Sequence, residues 1–161
     1  MSKAIKLQLV DQLLVKKELY IEQLSINVGL ENTFVPFVEN AIGSFKKLFA
    51  RVKSKDNKTF YLIVDTALLT YIQDQITIKY NGNLNTYVID SSPKNNLKLV
   101  DDKLKEYYQE ISLIKAQTNL SLMFKNDTRI ELLEEKMFQL KAISNFALKQ
   151  VEVKWNSNEN D

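Results

Sequence analysis

Apolar and polar positions recur with two different periods along this chain, and the changes of period divide it. From residue 3 to 17, Ala4, Ile5, Leu9, Val10, Leu13 and Leu14 fall mostly three or four apart, with Lys6, Gln8, Asp11 and Gln12 between them. That spacing predicts an amphipathic helix. Ile5, Leu7 and Leu9 also alternate, so a strand is the competing reading for the first few residues. Residues 20 to 28 read as a second short helix ending at Gly29, whose freedom at positive φ suits a helix C-terminus. Thr33 then caps a third helix, with Pro36 at its third helical position, where no intrahelical N–H bond is lost. This helix runs to about Ile42 and stops near Gly43.

From Lys47 the period becomes two. Leu48, Ala50 and Val52 alternate with Phe49, Arg51 and Lys53, the polar run Lys55-Asp56-Asn57-Lys58 makes a turn, and Thr59 to Val64 is aromatic and β-branched. Two antiparallel strands are predicted. Asp65 or Thr66 caps a short helix containing Leu68, Leu69 and Ile72. Ile76-Thr77-Ile78-Lys79-Tyr80, Asn81-Gly82 and Asn83 to Asp90 then predict a type I′ hairpin that pairs Ile78 with Asn85 and Ile76 with Tyr87.

Ser91-Ser92-Pro93-Lys94-Asn95-Asn96 is polar, turn-rich and placed where a sheet pattern gives way to a helix pattern. Beyond it Val100, Leu104, Tyr107, Ile111, Ile114 and Thr118 form a heptad seam. Thr128-x-x-Glu131 is a capping box, and Ile130, Leu133, Met137, Leu140 and Ala147 form a second seam. Two long helices joined by a short loop predict an antiparallel hairpin. The expected fold class is α+β: N-terminal helices, antiparallel β-hairpins and a C-terminal two-helix antiparallel hairpin. The expected divisions are an α+β body over 1–92, a helical hairpin over 97–153 and a polar tail over 154–161.

Composition narrows the chemistry. The 161 residues contain no His and no Cys, which removes disulfides, thiolate and imidazole metal sites, Cys nucleophiles and His-based acid/base work. Three Gly and two Pro argue against Gly-rich phosphate-cradling loops. The strongest apolar run, Phe60 to Val64, is far short of the roughly 20 residues a membrane helix needs, and Met1 to Lys17 lacks a signal-peptide core. No membrane partner is expected, and the expected location is the cytoplasm or a virion-like particle, with no secretion.

Carboxylates are the remaining acid/base groups: Asp101 with Asp102, Glu131 with Glu134 and Glu135, and Asp65, Asp74 and Asp90 singly. Antiparallel helices place Asp101 far from Glu131, so convergence on a metal or substrate is not expected. The acids fit helix-end preferences instead. No cofactor, metal site or catalytic residue is expected.

Leu24, Ser25, Val28, Gly29 and Leu30, followed by Val35 and Val38 directed at the core, resemble a helix-turn-helix in their spacing. With a helix before and a hairpin after, the order is similar to that of a winged helix, which implies nucleic-acid binding. The third helix is a poor DNA reader: it offers Phe34, Phe37, Glu39 and Asn40, and no Lys or Arg occurs between Lys17 and Lys46. Phosphate would meet repulsion there. A basic segment follows. Lys46, Lys47, Arg51, Lys53, Lys55 and Lys58 against Asp56 give a net +5 over residues 44–60, interleaved with Phe45, Phe49 and Phe60. On a hairpin these six cations are the candidate nucleic-acid contacts; the competing reading is Lys placed on edge strands to prevent aggregation.

The C-terminal segment carries more large apolar surface than one seam buries, in Tyr107, Tyr108, Phe124, Phe138, Phe146 and Trp155, the candidate protein-interface residues. Packing on the sheet is the competing reading. Twenty Lys against two Arg, with fifteen Asn, reads as the mark of an A- and T-rich genome, since both types are spread along the whole chain. Two Arg are few for a sequence-specific nucleic-acid binder. The leading expectation is a non-enzymatic interaction protein, a subunit or adaptor of a multiprotein assembly such as a viral particle, acting through self-association or partner docking. The alternative is a winged-helix nucleic-acid-binding protein using the Lys-rich hairpin.

Overall fold

The computed structural model describes residues 3–120 and 127–157. The strands are β1 (Ile5–Val10), β2 (Lys16–Ile26), β3 (Val35–Pro36), β4 (Ile42–Ser54), β5 (Thr59–Ile72), β6 (Gln75–Tyr80), β7 (Leu84–Ile89), β8 (Leu148–Gln150) and β9 (Asn156–Ser157). The helices are α1 (Lys94–Leu120) and α2 (Asp127–Phe146). Two compact units result: Met1–Val88 with Gln150–Asp161, and Ile89–Lys149.

The first unit is a closed barrel. β1 pairs with β2, β2 with β4, β4 with β5 and β5 with β6, all antiparallel, and β6 pairs back onto β1 in parallel. Five strands wound up and down leave the first and last pointing the same way, so the closing seam must be parallel. Its interior is aliphatic: Leu7, Leu9, Ile21, Leu24, Leu48, Ala50, Val52, Leu62, Val64, Leu69, Ile76 and Ile78 are buried in one cluster. Inward residues are two apart on β1, β4 and β6. On β2 the inward set steps from Ile21 to Leu24 across a register shift, and on β5 from Val64 to Ala67 across Thr66, which takes a φ of 46°. Such extra residues bend a strand sharply enough to close a small barrel.

These bends overturn the N-terminal helices. Residues 3–17 form β1 and the start of β2, so the alternating reading of Ile5, Leu7 and Leu9 is the correct one. Residues 20–28 are mostly β2, and the Thr33 to Ile42 segment holds the short β3 and the first residue of β4, with no helix. No helix-turn-helix exists there, and the winged-helix expectation falls with it. The helix expected after Asp65 is the second half of β5. Strands β4 and β5 do pair, with Val52 opposite Phe60, but run well beyond the residues expected of them. The Asn81-Gly82 turn does not join a two-stranded hairpin. β6 pairs with β1 and β5, while β7 lies on the first half of β5, placing Tyr87 opposite Tyr61 and Asn85 opposite Ile63.

Asp65 makes this change of partners possible. Its carboxylate accepts from the Asn83 N–H (3.2 Å) and pairs with the half-buried Lys47 ammonium, while Asn81 N–H donates to Thr66 C=O. Gly82, at φ 116°, passes so close that a Cβ there would sit 2.9 Å from Asp65 Cβ. The residues expected as a polar tail belong to the barrel unit as far as they are described. Asn156 and Ser157 pair with β2, and Trp155 meets Phe60 edge-on with ring centroids 5.9 Å apart; Val151, expected at the end of the helical hairpin, also joins this unit, donating its N–H to Thr86 C=O.

In the second unit α1 and α2 are antiparallel neighbours: Asp101 accepts from Ser144 Oγ (2.8 Å) and Glu110 pairs with Arg129 (2.7 Å). Ile111, Ile114, Leu133 and Met137 are buried together, with Leu104, Tyr107 and Ile130 against them. Phe124, with the loop expected around it, lies outside the described residues.

Candidate protein-interaction surfaces

One end of the barrel carries an apolar groove of about 430 Å³. The loop between β2 and β3 and the first residues of β4 form it, with Ile26, Val28, Val35, Phe37, Ile42 and Phe45 in the lining and Glu31 as its acidic member. Val28 (75% exposed), Ile42 (74%), Val35 and Val38 present their side chains to solvent. The loop is built to hold that shape. Asn27, itself buried, donates from Nδ2 to Glu31 C=O and accepts the Glu31 N–H at Oδ1 (3.2 Å). Phe34 folds back against Phe49 and Tyr61, with centroids 5.5 and 6.0 Å away, and Arg51 lies 4.4 Å over its ring. Pro36, which has no N–H to give a ladder, sits on the short β3, which pairs with β2.

A second apolar feature lies at the other end of β2. In the β1–β2 turn, Asp11 Oδ1 accepts the N–H groups of Leu13 (2.8 Å) and Val15 (3.0 Å), and Gln12 Oε1 accepts the Gly82 N–H (3.2 Å). Leu13, Leu14 and Val15 stand exposed at the tip, with Leu14 at φ 63°. Nearby, burial lifts the Tyr80 phenol above its usual 10.0, with the Asp11 carboxylate adding to the rise.

The six expected nucleic-acid contacts are dispersed. Lys47 is paired with Asp65, Lys53 with Glu22 (3.0 Å), and Arg51 is stacked on Phe34. Lys46, Lys55 and Lys58 are exposed, the last two beside the β4–β5 turn. Among the expected protein contacts, Tyr107 packs in the helix–helix seam, Tyr108 is half-exposed with Lys141 Nζ 5.3 Å from its ring, and Phe138 and Phe146 are partly buried. Trp155 is a barrel residue, not a helical one. Leu99, Leu113 and Leu132 are exposed on the helices.

The groove and tip residues were missed because Val28 and Val35 fit a helical core face and Leu13 and Leu14 extend an apparent helical stripe. The signal available was polar: Asp11 two and four residues before backbone donors, and Asn27 four before Glu31, each a turn-forming spacing. Among the described residues, no group of three or more acids is placed to hold a metal ion, and no helix is long and apolar enough to cross a membrane.

A closed five-stranded barrel unit followed by a helical-hairpin unit makes this an α+β protein of two parts. The chain belongs to the UU051 N-terminal domain family, whose model matches residues 5–85, from the first residue of β1 into β7. No curated protein matches it.

Proposed function

We propose that this chain is a non-enzymatic structural protein, a subunit or adaptor of a larger assembly, that works by docking protein surfaces through the end of its barrel. The observation that carries the reading is the groove lined by the exposed Val28, Val35 and Ile42, in a loop tied down by Asn27 and Phe34. Grouped exposed apolar side chains beside a concavity mark interaction sites, and a rigid loop loses little freedom when a partner seats on it. A sequence without His or Cys favours binding over proton-transfer chemistry. The nucleic-acid alternative draws little from this arrangement, because three of its six cations are committed to Asp65, Glu22 and Phe34.

Sedimentation equilibrium at low and high salt, with and without duplex and single-stranded nucleic acid, tests the reading. A mass above the 18.7 kDa monomer, or a tightly bound co-purifying protein, is expected at both salt levels. A monomer that binds nucleic acid with a steep loss of affinity in salt would transfer the function to the basic residues.

A further inference from the structure

The inference rests on the docking reading and names the occupant of the groove. Leu14 is doubly anomalous: it is 76% exposed and held in the left-handed region, where Gly, Asn or Asp would serve the turn at less cost. The loop around it is firmly tied by Asp11 and Gln12, so its apolar tip, Leu13 to Val15, is presented rather than left loose. Lys16 follows immediately and is exposed. The groove has the opposite character. From Glu18 to Phe45 the chain holds acids and no Lys or Arg. Glu18 and Glu22 are taken by Lys6 and Lys53, and Glu31 stays at the groove. Neither Lys16 nor Glu31 is in an ion pair among the described residues.

We propose that the groove receives the Leu13–Val15 tip of a second copy of this chain, with Lys16 of that copy set against Glu31. Tip and groove lie at opposite ends of the 11-residue strand β2. In its own chain the tip does not line the groove: Leu14 borders a separate hollow with Thr66, Tyr80 and Asn81 and stays exposed there. The contact is therefore heterologous, one surface of each copy meeting a different surface of the next, and it propagates as a row or closes as a ring.

The test uses two variants of the full chain. Leu14→Asn disables the tip with a residue that suits its backbone, so its melting temperature should equal or exceed the parent's. Val28→Lys disables the groove at an exposed position by removing an apolar contact and facing Lys16 with a like charge. Each variant alone should lose at least tenfold in association constant and sediment as a monomer. Their equimolar mixture should form one-to-one dimers and nothing larger, because only the intact groove of one and the intact tip of the other can meet. Oligomers unaffected by either variant would overturn the pairing while leaving docking through another surface standing. A mixture that stays monomeric, or a parent chain that is monomeric at every concentration, would also overturn it.

Discussion

Asp65 sits where β5 exchanges one neighbour for another, and it bonds to the strand that arrives as well as to Lys47 on the strand that stays. Asp65→Ala should cost about 2–3 kcal/mol in urea unfolding, since it strips an acceptor from the Asn83 N–H and leaves a half-buried ammonium unpaired. Gly82→Ala should cost about 1–3 kcal/mol by the same measurement, because a Cβ collides with Asp65 at a φ that disfavours any side chain. Tyr80 gives a pH signature. Its phenol is raised in the folded barrel by burial first and Asp11 second, so the folded state holds the proton more tightly than the unfolded chain. The stability this provides is complete below the ordinary phenol value of 10.0 and is lost as pH climbs from there through the raised value. Thermal melts through that alkaline range should fall less steeply for Tyr80→Phe than for the parent.

At the scale of elements, the helices were legible and the bent strands were not, for a single reason. The seams through Ile111 and Ile114 and through Leu133 and Met137 repeat over several turns, so no local irregularity disguises them. The barrel strands are interrupted where they bend. Ile21 to Leu24 and Val64 to Ala67 are inward neighbours three residues apart, which in the sequence is indistinguishable from a helical step. The straight stretch Leu48, Ala50, Val52 kept its period and was read correctly. The groove was illegible because Val28 and Val35 look like core, and only the tertiary arrangement leaves them in solvent. The C-terminal strand likewise hides in a polar sequence. Trp155 and Val153 pack on the barrel core, so a chain ending at Lys149 should lose about 2–4 kcal/mol of unfolding free energy, seen as a lower urea midpoint, with the barrel's signals lost first.

Across the whole molecule, the near-balance of 22 cations and 20 anions conceals a local asymmetry that the fold turns to account. The cations expected to form one basic track are divided by the barrel into paired, stacked and exposed groups, whereas the cation-free span from Glu18 to Phe45 shapes the groove end. Apolar side chains that a self-contained domain would bury stand at both ends of β2. The central claim is that the barrel end is the docking surface, and amide hydrogen exchange followed as protein concentration rises tests it most directly. Slowed exchange over residues 28–46, with the β4–β5 turn unchanged, is the predicted result. Exchange that does not respond to concentration there, or protection confined to the Lys55–Lys58 turn when nucleic acid is added, would contradict it.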